Sequence, residues 1–262
     1  MAEKEGELET LAKLREHLER NLEIADSRLI EGLLVGRIDR LEPSVAQERG
    51  IRCVCTIKSD VLLEEDTTRW VCTLGNYLVA VDLKTLDLVA LRITSVYRQD
   101  VMAMAGGPAT SLPPTPDASS LITPIRVEAT PIMAISYEEH QNGEGSPKVV
   151  NYVLDPQSPV FIPLRADVLE KLLGIPEEGV SLGVLSSGDR PLVMPKTHEA
   201  PRVRLKLKAL YQHVLIVGTT GAGKTTAVKN LVYELVRNHG AGVLAMDSTQ
   251  EMLQMAFPSR VK

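Results

Sequence analysis

Aromatic side chains are scarce in this sequence, which contains two Phe, one Trp and six Tyr in 262 residues. Proteins that bind single-stranded nucleic acid usually stack the bases on several aromatic rings, so this composition argues against such a surface. Long apolar runs are missing as well, and none approaches the ~18 residues that a membrane-spanning helix needs. The first residues, MAEKEGELET, lack the apolar segment of a secretory signal. We therefore expect a soluble, cytoplasmic protein.

Positive charge is not in excess, because 34 acidic residues outnumber 29 basic ones and give a formal net charge of −5. A chain whose whole surface binds nucleic acid has the opposite balance. Any contact with DNA must therefore come from a local basic patch or from an assembled ring. The apolar fraction of 44% and the charged fraction of 24% indicate a globular chain rather than a disordered one.

Cysteine is also rare, and an odd number of cysteines in a cytosolic chain does not form a disulfide framework. In IRCVCTIK, the alternation places Cys53 and Cys55 on one face of a strand, and WVCTL predicts a neighbouring strand that carries Cys72. A metal cluster would need a fourth ligand, and the nearest histidines in the sequence are His17 and His140. We interpret the three cysteines as buried small apolar residues.

Leucines recur every three or four positions near the N-terminus, at 8, 11, 14, 18 and 22, and predict a helix from residue 4 to about 25. Nine acidic residues against five basic ones in residues 1–31 give this segment a negative bias. We expect an N-terminal helical arm, residues 1–28, that forms a short coiled coil or packs against the rest of the chain rather than a ligand site.

Short β-rich runs separated by Gly, Asn, Asp and Pro occupy the chain from about residue 32 to 200. Closely spaced strands without long helices between them favour a small antiparallel barrel or sandwich. A long loop rich in Pro, Gly and Ser is predicted at 105–124, and a short helix at 165–174 ends at Gly174 before a strand around VSLGVLSS. The other predicted strands are LLVGRID, IRCVCTIK, WVCTL, NYLVAVDL, LVALRITSVY, IRVEATPIMAISY and KVVNYVLD.

Basic and apolar residues alternate in PRVRLKLKALYQH, where Arg202, Arg204, Lys206 and Lys208 are separated by Val203, Leu205 and Leu207. As a strand, this segment has one basic face and one buried face. The basic face is either an ordinary solvated surface or, alternatively, a subunit contact or a stripe that faces phosphates.

The most informative stretch is HVLIVGTTGAGKTT, in which Gly218, Gly223, Lys224 and Thr225 match the pattern G-x-x-x-x-G-K-[ST]. The apolar run VLIV before the loop predicts a buried parallel strand. Apolar residues after the loop, Val228, Leu231, Val232, Leu235 and Val236, share one helical face, and His239-Gly240 is typical of a helix end. Strand, glycine loop and helix therefore follow one another in the order that a phosphate-binding loop requires.

Each residue type in this loop has a physical role toward a nucleotide. Glycines at 218, 221 and 223 allow successive N–H groups to turn inward, and the new helix adds its positive end. Lys224 brings a positive charge to the β- and γ-phosphates, the Thr225 hydroxyl is placed to ligate Mg²⁺, and Thr226 can donate to the α-phosphate. The predicted ligands are ATP and Mg²⁺, and the predicted nucleotide-binding residues are Gly218, Thr219, Thr220, Gly221, Ala222, Gly223, Lys224, Thr225 and Thr226.

A second parallel strand is predicted at residues 242–246 and ends at Asp247. Carboxylates at the carboxyl ends of such strands point into the ligand crevice. Asp247 and Glu251 are therefore candidate catalytic residues near Mg²⁺ or the attacking water. The alternative is that Asp247 caps the following turn.

The stretch HVLIVGTTGAGKTT, with DSTQEM after the next strand, resembles the HerA-like proteins of the HerA/FtsK branch of P-loop ATPases. The residues NYVLDPQSPVFIPLRADVLEKLLGIPEEGVSLGVLSSGDRPLVM resemble the connection between the barrel and the motor of those proteins. The resemblance implies a mixed β-barrel plus α/β fold. A small antiparallel barrel of the HAS-barrel type would occupy residues 29–200, and an incomplete RecA-like βαβ unit would occupy residues 201–262.

The same resemblance implies a hexameric ATPase that translocates double-stranded DNA and works with a NurA-like nuclease in DNA end processing and repair. Lys224 and Thr225 carry over as the phosphate and Mg²⁺ residues, and Asp247 and Glu251 match the acidic positions of the family. Ser248-Thr249-Gln250 stands where the family usually has Pro-His-Gly.

Only 37 residues follow Thr225, which is too short for the Walker B strand, the arginine finger and the pore loops of a RecA-like motor. We expect either the N-terminal part of a longer protein or a product that has lost its motor, with little or no ATP hydrolysis in both cases. The alternative function is a non-hydrolysing nucleotide-binding assembly or partner-docking module.

Overall fold

The chain divides into two compact units, and each unit is built from two separate segments of the sequence. Unit 1 contains residues 1–174 and 186–200, and unit 2 contains residues 175–185 and 201–262. The predicted loop at 105–124 and the candidate residues Asp247 and Glu251 lie outside the described residues. The computed structural model describes residues 2–26, 32–42, 44–48, 50–98, 125–142 and 145–246.

Strands dominate unit 1, and the longest element in the described part of unit 2 is a helix. The elements of unit 1 are α1 (Ala2–Asp26), β1 (Gly32–Ile38), β2 (Val45–Gln47), β3 (Gly50–Ile57), α2 (Glu65–Val71), β4 (Tyr77–Val81), β5 (Leu88–Arg98), β6 (Ile125–Ile135), α3 (Tyr137–Gln141), β7 (Lys148–Val149), β8 (Pro159–Pro163), α4 (Ala166–Leu172), β10 (Ser186–Ser187) and β11 (Arg190–Pro191). Unit 2 contains β9 (Val180–Val184), β12 (Arg202–Leu205), a 3₁₀ turn (Leu207–Tyr211) and α5 (Lys224–His239).

Six strands of unit 1 form a closed antiparallel barrel in the order β3-β1-β8-β4-β5-β6, and β6 pairs back with β3 to close it. Cys53 lies opposite Ala129 and Cys55 opposite Val127 at this closing pair. The short strands β2 and β7 extend the barrel from β3 and β6. The structure thus confirms the predicted barrel and excludes the sandwich, because closure leaves the six strands without an edge.

Aliphatic side chains fill the core, as expected for a chain with few aromatics. Strand β6 alternates buried and half-buried residues from Ile125 to Pro131, which is the period-two pattern of a sheet with one buried face. Ala25 of α1 and Leu172 of α4 belong to the same buried cluster as Phe161 of β8. The two helices therefore cover part of the barrel, and the helix predicted at 165–174 is confirmed.

The last turns of α1 anchor this helix to the barrel. The Asn21 side chain donates a hydrogen bond of 2.7 Å to the carbonyl of Leu83, and the Arg37 guanidinium lies 2.6 Å from the Asp26 carboxylate. The helix predicted from residue 4 to about 25 is confirmed over Ala2–Asp26. Among the described residues, no helix is long and apolar enough to cross a bilayer.

The stretch WVCTL was predicted as a strand, and this prediction is wrong. Trp70 and Val71 are the last residues of α2, and Cys72 is its exposed C-cap. The acidic first turn favours the helix, and the Trp70 indole N–H donates to the carbonyl of Tyr77 at 2.8 Å, which fixes the helix against the start of β4. Cys72 is therefore neither buried nor on a neighbouring strand.

Cys53 and Cys55 are fully buried on β3, as predicted. The Cys53 thiol donates to the carbonyl of Ala129 at 3.3 Å. The hydrogen bond with Cys53, together with burial, raises the pKa of Cys55 well above its ordinary value. Cys55 therefore stays a neutral thiol rather than a metal-binding thiolate, and no group of metal-ligating residues occurs among the described residues.

The stretch KVVNYVLD forms a strand only at Lys148–Val149. The backbone N–H of Asp155 donates instead to the buried Asp82 carboxylate at 2.9 Å, and the Tyr152 hydroxyl donates to Asp87 at 2.7 Å. Side chains of the β4–β5 turn thus take the place of a strand partner for residues 150–155.

Replacing Asp155 by Asn is expected to make the stability of unit 1 fall less, or rise more, as the pH increases from 3 to 7. Burial and the nearby charge of Asp82 raise the pKa of Asp155. A carboxyl whose folded pKa is raised binds its proton more tightly in the folded state, so stability falls as pH rises from the unfolded value of ~3.9 through the folded pKa. D155N removes this loss. Urea unfolding between pH 3 and 7 measures the free energy of unfolding of the wild type and of D155N. The control is Asp189→Asn, which removes a carboxylate from an exposed turn. Equal slopes of unfolding free energy against pH for the wild type and D155N would contradict the prediction.

Candidate nucleotide-binding site

The glycine loop lies immediately before α5 and uses a backbone that favours glycine. Gly221 and Gly223 both have φ of +82°, in the left-handed region that side chains disfavour. The N–H of Ala222 donates to the carbonyl of Thr219 at 3.2 Å and tightens the turn. An added Cβ at Gly221 or Gly223 would meet nothing within 4 Å, so the space in front of the loop is open.

The loop ends at the N-terminus of a helix. Gly223 is the N-cap of α5, and no side chain caps this end by a hydrogen bond. The N–H of Ala227 donates to the carbonyl of Gly223 at 2.9 Å, so the intrahelical ladder begins there. The N–H groups of a first helical turn lack intrahelical acceptors, and together with the helix dipole they favour an anion.

The Lys224 ammonium folds back over the loop. Its Nζ donates to the carbonyl of Thr219 at 2.7 Å. A Cβ at Gly218 would lie 3.2 Å from the Cβ of Ala222 and 3.4 Å from the Cγ of Lys224. The close approach of these side chains explains a glycine at position 218. It also leaves the Lys224 ammonium on the loop side of α5.

The sequence motif did not indicate the contact between Lys224 and Thr219. The acceptor is a backbone carbonyl at a position where the motif allows any residue. A backbone acceptor has no side-chain signature, so only the conformation of the loop reveals it.

Helix α5 follows the prediction at both ends. It spans Lys224–His239, and the following residue, Gly240, is its C-cap with a φ of +62°. The helix has no buried residue. Of the five apolar residues that were predicted to share one helical face, four are half-buried and Val236 is exposed.

The two predicted parallel strands are not confirmed. No strand is assigned to residues 213–217 or 241–246, and the side chains of Leu215 and Val217 are 84% and 77% exposed. An apolar run becomes a buried strand only where neighbouring strands accept its hydrogen bonds and helices cover it. Within the described part of unit 2, β9 and β12 form the only sheet, and neither run pairs with it.

The basic strand predicted for residues 202–208 is correct only in its first half. Strand β12 ends at Leu205, which lies opposite Val180, the first residue of β9. The residues after Leu205 have no strand residue of β9 opposite them. The chain turns into the 3₁₀ segment, so Lys206 and Lys208 leave the strand. The four basic residues therefore do not form one strand face.

Comparison with protein families gives one match to this region. Residues 192–262 match the family model described as "Helicase HerA, central domain". The matched segment contains the glycine loop and α5, and it also includes Asp247 and Glu251, whose proposed roles stay predictions. Comparison with curated proteins gave no match.

Proposed function

We propose, from the match of residues 192–262 to the central domain of the helicase HerA, that this chain is a HerA-like P-loop ATPase that binds ATP at residues 218–226 and forms the ATP-binding part of a DNA translocase. One observation supports ATP binding: a glycine loop with two positive φ angles leads directly into the N-terminus of α5, and no side chain caps that end by a hydrogen bond. An ordinary turn between a strand and a helix does not require Lys224 and Thr225 next to such a loop.

The residues of the loop fit a nucleotide with its Mg²⁺. The loop amides and the first turn of α5 would bind the phosphate oxygens, and Lys224 would exchange its contact with the Thr219 carbonyl for the β- and γ-phosphates. Thr225 would ligate Mg²⁺, and Thr226 would donate to the α-phosphate. Bound Mg²⁺ would neutralise part of the phosphate charge.

We assign different roles to the two units in this translocase. The barrel of unit 1 would act as a collar for a homo-oligomer, a hexamer, and as the docking site of a NurA-like nuclease. Double-stranded DNA would pass through the assembled ring during end processing and repair. Because the net charge is −5, any contact with DNA would be local, and the basic residues of segment 202–208 are the candidates for it. Asp247 and Glu251 would serve hydrolysis.

A second function, a nucleotide-binding module without turnover, has its own support. The apolar runs 213–217 and 241–246 are exposed and unpaired in the described part of unit 2. A catalytic carboxylate must be held rigidly by its strand, and an unpaired run does not provide this support. This chain would then bind ATP to control assembly or partner docking.

An ATPase assay with and without duplex DNA separates the two functions. We expect this chain to bind Mg-ATP but to hydrolyse little of it. A longer form with the Walker B and arginine-finger motifs should show hydrolysis that duplex DNA stimulates and that Lys224→Ala removes. No turnover in the longer form would reject the translocase in favour of the module, and no binding of ATP by either form would reject both.

A further inference from the structure

An open groove lies on unit 1 beside the last residues of β1 and β3, which pair with one another. It has a volume of about 540 Å³ and is lined by residues 37–41, residues 56–59 and Gln157. We call it the barrel groove. Three of its lining residues are basic and one is acidic, in contrast to the negative net charge of the chain: Arg37, Arg40, Lys58 and Asp39.

Two basic side chains at the barrel groove are already balanced by carboxylates. Arg37 pairs with the Asp26 carboxylate at 2.6 Å. Arg126, which lies beside the groove, pairs with the Glu42 carboxylate, and its Nε lies 3.9 Å from the Asp39 carboxylate. The other basic side chains of the groove therefore decide what it attracts.

Arg40 and Lys58 are the two exposed cations of the barrel groove. Neither makes an ion pair with any residue that the structure describes. With the Asp39 carboxylate counted against them, the groove keeps an excess of one positive charge. Two cations that line one groove repel each other, and an anion between them removes this repulsion.

The Asp39 carboxylate is occupied by the turn that carries Arg40. One of its oxygens accepts hydrogen bonds from the N–H groups of Leu41 at 2.7 Å and Glu42 at 3.0 Å, and the other accepts from the Thr56 hydroxyl. Such bonds from an Asp side chain to the following amides fix a turn. Asp39 therefore holds the backbone beside Arg40 in place.

Gln157 holds the Arg40 side chain and pays for this with a strained backbone. Its φ is +68°, which side chains disfavour. Its carbonyl accepts from Arg37 Nη1 at 3.1 Å, and its side-chain oxygen, with the amide turned toward Arg40, accepts from Arg40 Nε at 2.7 Å and Nη1 at 3.3 Å. Glycine would adopt this backbone without strain but would not hold Arg40. Strain of this kind is concentrated at binding sites.

We infer that the barrel groove binds the sugar–phosphate backbone of a nucleic-acid strand through Arg40 and Lys58. Because Gln157 takes Nε and Nη1 of Arg40, the Nη2 group is left to donate to a phosphate oxygen. The Lys58 ammonium binds a phosphate as a point charge. That the strand belongs to duplex DNA rests on the proposed function, and this contact adds to the one suggested for segment 202–208.

The walls of the barrel groove favour a nucleic-acid backbone over the alternatives. Among the described residues that line it, none is aromatic, so it offers no ring on which a base could stack. An acidic peptide binds most readily as an added strand at a free sheet edge. Here β1 pairs with β3 and β8, and β3 pairs with β1 and β6, so neither strand has a free edge. Phosphate contacts need only cations and donors.

The first test is the fluorescence anisotropy of a short labelled DNA duplex titrated with the full chain, at low salt and without nucleotide. We expect Arg40→Gln/Lys58→Gln to weaken binding by about tenfold or more and to reduce the slope of log K against log salt by about two. The control Arg190→Gln/Lys196→Gln removes the same charge from exposed positions of unit 1 outside the groove. No binding by the wild type, or an equal loss in both variants, would overturn the inference.

Gln157→Gly tests the positioning of Arg40. This variant keeps every charge and relieves the backbone strain, so unit 1 should unfold at the same or a higher urea concentration while the duplex binds several-fold more weakly. Binding equal to that of the wild type would overturn the role of Gln157.

Polyglutamate and inorganic phosphate test the occupant. If either competitor binds the groove as tightly as the duplex does, a nucleic-acid strand is overturned as its ligand. Lys224→Ala should bind the duplex like the wild type, because no nucleotide is present. Failure of the barrel groove therefore leaves the proposed ATP site untouched, and failure of the ATP site leaves this test unchanged.

Discussion

Replacing Lys224 by Ala is expected to remove at least half of the stabilisation that Mg-ATP gives the folded chain. At a ligand concentration 100-fold above its dissociation constant, binding raises the free energy of unfolding by about 2.7 kcal/mol. A charge-assisted hydrogen bond contributes about 1.5–3 kcal/mol, so the variant should bind roughly 10- to 150-fold more weakly. At that nucleotide concentration the stabilisation should therefore fall to roughly 0.3–1.4 kcal/mol, and the melting temperature of the variant should shift about half as much as that of the wild type or less.

Lys229→Ala is the matched control, because it removes the same side chain from the same helix, about one and a half turns further from the loop. Titration calorimetry with Mg-ATP measures the dissociation constant of the wild type and of both variants. Equal affinities for K224A and the wild type would contradict the phosphate-binding role of the loop. Loss of binding in K229A alone would place the nucleotide elsewhere on α5.

Replacing Gly36 by Ala should strongly destabilise the barrel. A Cβ at Gly36 would lie 2.2 Å from the carbonyl oxygen of Thr56 and 3.1 Å from the Cα of Ile57. Both contacts are with the backbone of β3, and Gly36 lies opposite Ile57 in the β1–β3 pair. The clash is relieved only if these strands separate locally. We expect a loss of about 3 kcal/mol in the free energy of unfolding.

Trp70 allows this loss to be measured for unit 1 alone, because it is the single Trp of the chain and is buried in that unit. Urea unfolding followed by its fluorescence gives the midpoint for the wild type and for G36A. The control is Gly242→Ala, since a Cβ there would meet nothing within 4 Å. An unchanged midpoint in G36A would show that β1 and β3 move apart without loss of stability.

The alternation of apolar residues predicted most barrel strands because one face of each strand is buried against a single core. The alternation gave wrong strands where a hydrogen bond from or to a side chain took the place of hydrogen bonds between strands. The Trp70 indole bonds to Tyr77 and turns an apolar run into a helix end, and Asp82 takes the backbone amide of Asp155 that a longer β7 would have used. The requirement for Gly36 was equally invisible, because Thr56 lies twenty residues away in the sequence.

The glycine loop and α5 could be predicted because their conformation is local: the positive φ angles need glycine, and the helix ends at Gly240. The strands on either side of the loop could not be predicted in this way. Whether Val217 or Leu244 is buried depends on neighbouring strands and helices, and the apolar runs 213–217 and 242–246 do not specify these neighbours. Both residues are exposed. A motif therefore predicts the backbone of a loop more reliably than it predicts the sheet on which the loop stands.

The polypeptide crosses between units 1 and 2 three times, after residues 174, 185 and 200. Strand β9 belongs to the first excursion into unit 2, and its partner β12 belongs to the second. A protease that cuts once after residue 200 would leave the two pieces held together by the β9–β12 hydrogen bonds. A recombinant fragment that begins at residue 201 would lack β9, so its β12 would offer an unpaired edge to other molecules and invite aggregation.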